Sequence, residues 1–160
     1  MPLTAQCQQQ FEQWMSSHQG LIYKVIRAYT STRADQDDLY QDIAAQIWRS
    51  MASFKGQSKV STWMYKVALF TAMNWSKQHQ KHGVADDNVD PVELSAPSSG
   101  NDKLDWLYAQ LHTLNEVDRS ILLLTLDGFD YAQLANILGM TANAVGVRLN
   151  RIKKRLAQST

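Results

Sequence analysis

The sequence is poor in the residues that several classes of function require. It holds one cysteine, Cys7, in 160 residues. An intrachain disulfide is therefore excluded, and so is a zinc site built from cysteines. Such usage fits the reducing cytoplasm. Long apolar runs are missing too: the longest cluster, Ile121 to Leu126, falls far short of the roughly 18 residues of a membrane span. The opening run MPLTAQCQQQ has neither the basic flank nor the apolar stretch of a secretory signal. No glycine-rich phosphate loop or nucleophile–base set is evident. The carboxylate pairs present, Asp35/Asp38 and Asp86/Asp87, fall in capping and linker contexts. His79 and His82 are three apart, but His18 and His112 are distant in sequence. Neither an enzyme, a cofactor nor a metal site is expected.

Acids are absent from two long stretches, and this matters more than the net charge of +1. Residues 43–85 hold six bases and no acid: Arg49, Lys55, Lys59, Lys66, Lys77 and Lys81. Residues 131–160 hold five bases and no acid: Arg148, Arg151, Lys153, Lys154 and Arg155. Between them, residues 86–105 carry six acids and only Lys103. Two basic segments split by an acidic one suit a polyanion, because each Lys or Arg laid on a phosphate releases a counterion.

The two internal prolines, Pro91 and Pro97, both fall within Gly83–Asn101, with three serines and Gly100. That composition reads as a linker. It divides the chain into residues 1–82, 83–101 and 102–160. Both flanks read as helical, and no segment alternates with period two for long enough to be a strand. The expected fold is all-α: two small helical domains. In the first, Phe11, Met15, Ile22 and Ile26 form one helical stripe. After a break at Thr30 to Ala34, a second helix begins near Asp35 or Gln36, with stripe Leu39, Ile43, Ile47 and Met51. Gly56 to Lys59 reads as a loop. A third helix runs from an N-cap at Ser61 to about Gln80.

In the second domain, helices are expected at Asp102 to His112, Glu116 to Asp127, Tyr131 to Leu138 and Ala142 to about Ala157. Asp130 with Gln133 has the spacing of a capping box. The last two helices, joined by Gly139-Met140-Thr141, have the length and punctuation of a DNA-binding helix-turn-helix. Leu134, Leu138, Val145 and Leu149 would face inward. Thr141 would cap the final helix, which would project Asn143, Ala144, Gly146, Val147, Asn150 and Arg151. Recognition helices read base edges with their first turns and hold phosphates at their basic ends. Asn143 and Asn150 are candidate readers, since an amide can pair with an adenine edge.

Taken together, the halves resemble a family. The run LHTLNEVDRSILLLTLDGFDYAQLANILGMTANAVGVRLNRIKKRL resembles region 4, the promoter-binding domain of bacterial sigma factors. DQDDLYQDIAAQIWRSMASFKGQSKVSTWMYKVALFTAMNW resembles their region 2. Order, spacing and linker are similar to the short extracytoplasmic-function group, which lacks a region 3 domain.

The resemblance implies roles. Asp35, Asp38, Leu39, Gln41 and Asp42 would belong to the helix that docks on the clamp of core RNA polymerase. Phe54 to Trp63 would match the loop that captures an unpaired −10 base. Lys55, Lys59, Trp63, Lys66, Phe70, Asn74 and Lys77 would contact the −10 strand. The residues themselves agree with that role: lysines interleave with Trp63, Tyr65, Phe70 and Trp75, and aromatic faces stack unpaired bases. In region 4, Thr141, Asn143, Ala144, Gly146, Val147, Arg148, Asn150, Arg151 and Lys154 would meet the −35 duplex.

Two places depart from the family pattern. Phe70 stands where a polar residue is frequent, and Gly146-Val147 where many relatives carry a basic residue and a serine. The implied partners are core RNA polymerase, promoter DNA and an anti-sigma factor, a common control in the family. Two rivals remain open on the residues alone. One is a self-sufficient helix-turn-helix regulator dimerising on a palindrome. The other is a helical interaction module without DNA binding.

Overall fold

The computed structural model describes residues 5–83 and 101–158, with side chains in the first segment described through His79. Every element among them is a helix. The chain divides into two compact units, residues 1–96 and 97–160. The proline- and acid-rich stretch lies outside the described residues, except at its ends. Gly83 closes the helix before it, and Asn101 caps the helix after it, its side chain accepting from the amides of Lys103 and Leu104.

The first unit is built from α1 (Ala5–Ser17), α2 (Gln19–Tyr29), α3 (Arg33–Ser50) and α4 (Val60–Gly83). The long α4 packs against both α2 and α3. Its core is the seam where three apolar stripes meet: Ile22, Val25 and Ile26 from α2, Leu39, Ile43 and Ile47 from α3, and Met64, Ala68, Leu69 and Ala72 from α4. A fully buried aliphatic side chain contributes about 1.5–3 kcal/mol relative to an exposed one. The alanines of α4 let the helices approach closely.

In this unit, element limits differ from the sequence reading in four places. The single N-terminal stripe is two helices. His18, at φ −118° and ψ 25°, leaves helical geometry between them, while hydrogen bonds from His18 N to Trp14 O and from Ile22 N to His18 O carry the chain across. The α3 helix begins at Arg33 because Thr32, not an acid, is its cap: Thr32 Oγ1 accepts from Asp35 N at 3.1 Å. The α4 helix starts one residue before Ser61 and continues past Gln80. Lys59 O accepts its first backbone bond, from Trp63 N, so Ser61 lies inside the first turn and is not the cap. Met51 closes no stripe of α3; it opens a short 3-10 turn, Met51–Ser53, that steers the chain into the 54–59 loop.

The second unit holds α5 (Asp102–His112), α6 (Glu116–Leu126), α7 (Tyr131–Leu138) and α8 (Ala142–Gln158). Leu111, Leu114, Ile121, Leu124, Leu134, Ile137, Val145, Leu149 and Ile152 form its core. Ile137 takes the inward place expected for Leu138, which is only half-buried, because one residue of helical rotation separates them. The buried Arg119 donates to the carbonyl oxygens of Leu114 at 2.8 Å and His112 at 3.4 Å. It thereby satisfies carbonyls that the end of α5 leaves open. Caps set the remaining limits: Asn115 for α6, and the Asp130/Gln133 capping box for α7. Gly139 turns the chain at φ +69°, a left-handed conformation that glycine adopts without steric penalty.

Candidate functional site

In the first unit the candidate residues converge on a groove between α3 and α4. Its volume is about 580 Å³, and Asp42, Arg49, Trp63, Lys66, Phe70 and Asn74 are among its walls. Helical geometry explains the convergence. At 100° per residue, Trp63, Lys66, Phe70, Asn74 and Lys77 fall within about 80° of one another around α4. Lys66, Phe70, Asn74 and Lys77 are exposed, and Trp63 is half-buried. Lys55 and Lys59 are exposed on the loop leading into α4.

Trp63 is held in place. Its ring packs against Trp14 at a centroid distance of 5.8 Å and against Phe54 at 5.3 Å; Trp14 and Phe54 meet edge-on at 5.4 Å. These aromatics fix the entrance of α4 and one wall of the groove. The aromatic strip expected from the sequence is correspondingly shorter. Tyr65 and Trp75 are buried, because their positions rotate to the core side of α4. Phe70, 40% exposed, is the ring that faces outward.

The acids of α3 are partly committed within the unit. Asp38 Oδ2 accepts from the indole Nε1 of Trp75 at 2.9 Å, and Asp35 Oδ1 lies 3.3 Å from Nε2 of His79, whose ring stacks on Trp75. Gln41 and Asp42 are exposed. Leu39 is 0% exposed. Its assignment as a docking contact is corrected: it belongs to the core that supports the helix. Sequence reasoning missed Gln46 and Gln78 on the groove walls and counted Arg49 only among the bases of its segment. The signal that could have found them is spacing, since 42, 46 and 49 share one side of α3, as do 71, 74 and 78 on α4.

In the second unit the helix-turn-helix forms as the spacing implied. Met140 N donates to Ala135 O, and Thr141 Oγ1 accepts from Ala144 N at 3.1 Å, capping α8. Asn143, Val147, Asn150, Arg151 and Lys154 fall within about 100° of one another around α8, and all are exposed. Ala144 and Gly146 flank this stripe half-buried. Arg148 points elsewhere. Its Nη1 donates to Asp118 Oδ1 at 2.9 Å, an ion pair joining α8 to the first turn of α6. Arg155, though exposed, reaches back along the surface of the unit, donating to Thr113 O at 3.1 Å. The second unit therefore presents a polar and basic stripe with one apolar residue, Val147, in it.

No described helix is long and apolar enough to cross a membrane.

Residues 14–82 match the family model of sigma-70 region 2, and residues 104–156 match that of sigma-70 region 4. The RNA polymerase sigma factor YlaC of Bacillus subtilis is 28% identical over 132 residues, covering 76% of this chain and 75% of that protein. The ECF RNA polymerase sigma-E factor of Haemophilus influenzae is 25% identical over 163 residues, covering 91% and 85%. Among solved structures, the sigma factor RpoE in complex with the anti-sigma factor NepR from Bartonella quintana aligns with a TM-score of 0.69 at 21% identity, covering 93% of this chain and 95% of that one. CnrH in complex with the cytosolic domain of CnrY aligns with a TM-score of 0.63 at 17% identity, covering 94% and 87%. At such identities the likeness to the solved structures is one of fold.

Proposed function

The chain belongs to the sigma-70 family, in its extracytoplasmic-function group, and from that premise we propose how its surfaces divide the work of promoter recognition. A sigma factor binds core RNA polymerase and directs it to promoter DNA. Here, residues 1–82 form the part that docks on polymerase and holds the opened −10 strand. Residues 102–160 form the part that reads the −35 duplex, with 83–101 as the connection. Gln41 and Asp42, with Asp35 and Asp38 behind them, present the acidic surface of α3 to the polymerase clamp. Lys55, Lys59, Lys66 and Lys77 track the −10 phosphates. Phe70 offers a face for an unpaired base, Asn74 an amide for its edge, and Trp63 a fixed wall beneath. On α8, Asn143 and Asn150 read base edges, while Arg151 and Lys154 hold phosphate.

The observation that carries this reading is the outward stripe Lys66–Phe70–Asn74–Lys77, in which an exposed aromatic ring stands between basic and amide side chains. A protein that read only duplex DNA would have no need of that ring. The chemistry of RNA synthesis belongs to the polymerase; this chain contributes binding and positioning, in the cytoplasm. An anti-sigma factor would act by covering the same faces.

The test is transcription itself. The purified chain is mixed with core RNA polymerase and a genomic promoter library, and run-off products are sequenced. Discrete start sites preceded by a common pair of elements are expected. Absence of both transcripts and polymerase association would refute the reading.

A further inference from the structure

Val147 is the apolar member of the exposed stripe on α8, and it is 52% exposed. Its neighbours on that face are Asn143, Asn150, Arg151 and Lys154. An exposed ring lies at the edge of this face, against the preceding residue Gly146. Tyr131, the first residue of α7, is 43% exposed, and its ring lies against Gly146: Cε2 is 3.5 Å from the position a Cβ there would take. The absence of a side chain at 146 leaves the phenol ring next to the residue preceding Val147. The stripe thus combines amides, cations and one exposed apolar side chain, and no acid occurs from Tyr131 to Thr160.

That combination selects a ligand chemistry. The basic and amide side chains match phosphates and base edges. In the major groove, the one apolar group any base pair offers is the thymine 5-methyl. We infer that Val147 is a specificity-determining contact for a thymine methyl in the −35 duplex. Asn143 and Asn150, one turn to either side on the same face, would read the flanking base edges. The position that many relatives fill with a serine here reads a methyl group in place of a hydrogen-bonding edge. This inference rests on the assignment of α8 to the −35 element.

The test replaces thymine by deoxyuridine, which removes the methyl group and keeps every hydrogen-bonding atom. Holoenzyme assembled from the full chain and core polymerase first selects −35 sequences from a randomised duplex library. Each thymine of the selected element is then replaced in turn. At one position deoxyuridine should weaken binding about fourfold, the worth of one methyl group removed from water. In Val147→Ala that sensitivity should disappear, while Val147→Thr, which keeps one methyl, should retain part of it. Arg151→Ala should weaken methylated and demethylated sites equally. A selected element without thymine, or one indifferent to demethylation at every position, overturns the inference and leaves the −35 assignment standing. If Val147→Ala instead weakens assembly with core polymerase, that side chain is a protein contact, and the inference is also overturned. If the library yields no −35 element at all, the assignment of α8 itself fails and takes the inference with it.

Discussion

Trp75 on α4 donates its indole N–H to Asp38 on α3 across 2.9 Å, so the helix proposed to read the −10 strand holds an acid of the helix proposed to dock on polymerase. His79, stacked on Trp75 and 3.3 Å from Asp35, adds a second link one turn further along. The indole–carboxylate bond ties α3 to α4 at the end of the groove remote from Trp63, with the His79–Asp35 contact beside it.

Trp75→Phe keeps an aromatic ring in the core and removes the donor. Asp38 then loses a charge-assisted partner but remains near water, so the expected cost is about 1–2 kcal/mol. Urea denaturation followed by circular dichroism measures it. A midpoint equal to that of the parent chain would show that the bond contributes nothing to the fold.

Because Asp35 and Asp38 serve the fold, they are poor probes of docking. Gln41 and Asp42 are exposed on the same helix. The double variant Gln41→Ala, Asp42→Ala should weaken association with core polymerase roughly tenfold or more, the effect of two polar contacts of about 1 kcal/mol each. Its denaturation midpoint should match the parent. Fluorescence anisotropy of a labelled chain titrated with core polymerase reads the first quantity; unchanged affinity would remove α3's exposed face from the docking surface.

Arg148 provides a contrasting case in the second unit. Its ion pair with Asp118 joins α8 to α6, and both side chains are at least two-thirds buried. A double-mutant cycle of Arg148→Ala and Asp118→Ala should give a coupling energy of about 1 kcal/mol, between the values for exposed and fully buried pairs. Arg148→Ala should then weaken promoter binding only through loss of stability, restored at lower temperature. A loss of affinity that persists when both proteins are fully folded would return Arg148 to the DNA contacts.

Most helices and inward faces were legible in the sequence because they follow from periodicity and punctuation: Gly139 at the turn, Asp130 with Gln133 at the cap, Leu39–Ile43–Ile47 on one side of α3; the break at His18 and the rotation that buries Ile137 in place of Leu138 were not. What was not legible depends on contacts between elements. Leu39 fits a docking motif and a core stripe equally well in one dimension; only its burial beneath α2 and α4 separates the two. Asp38 and Trp75 are 37 residues apart and Arg148 and Asp118 are 30 apart, so nothing local announces either pair. Charge patterning found the basic segments as segments. It could not say that Arg148 and Arg155 turn back onto the domain while Arg151 and Lys154 face outward, because that follows from rotation about α8 and from acceptors on α6 and at Thr113.

Gly146 tests whether a residue in the helix proposed to read the −35 duplex serves stability or access. A Cβ at 146 would stand 3.5 Å from Tyr131 Cε2 and 3.9 Å from Cδ2, which is ordinary van der Waals contact. Packing therefore does not demand a glycine, and the backbone there is not in the left-handed region. Glycine inside a helix costs about 1 kcal/mol relative to alanine. Gly146→Ala should accordingly raise the stability of the second unit by about that amount, visible as a later thermal transition. A role that would offset this cost is close approach of the helix backbone to the −35 duplex proposed for α8. The same variant should bind promoter DNA severalfold more weakly when assembled with core polymerase, despite being the more stable protein. Gain in stability with no loss of affinity would show that the space above Gly146 serves only the ring of Tyr131.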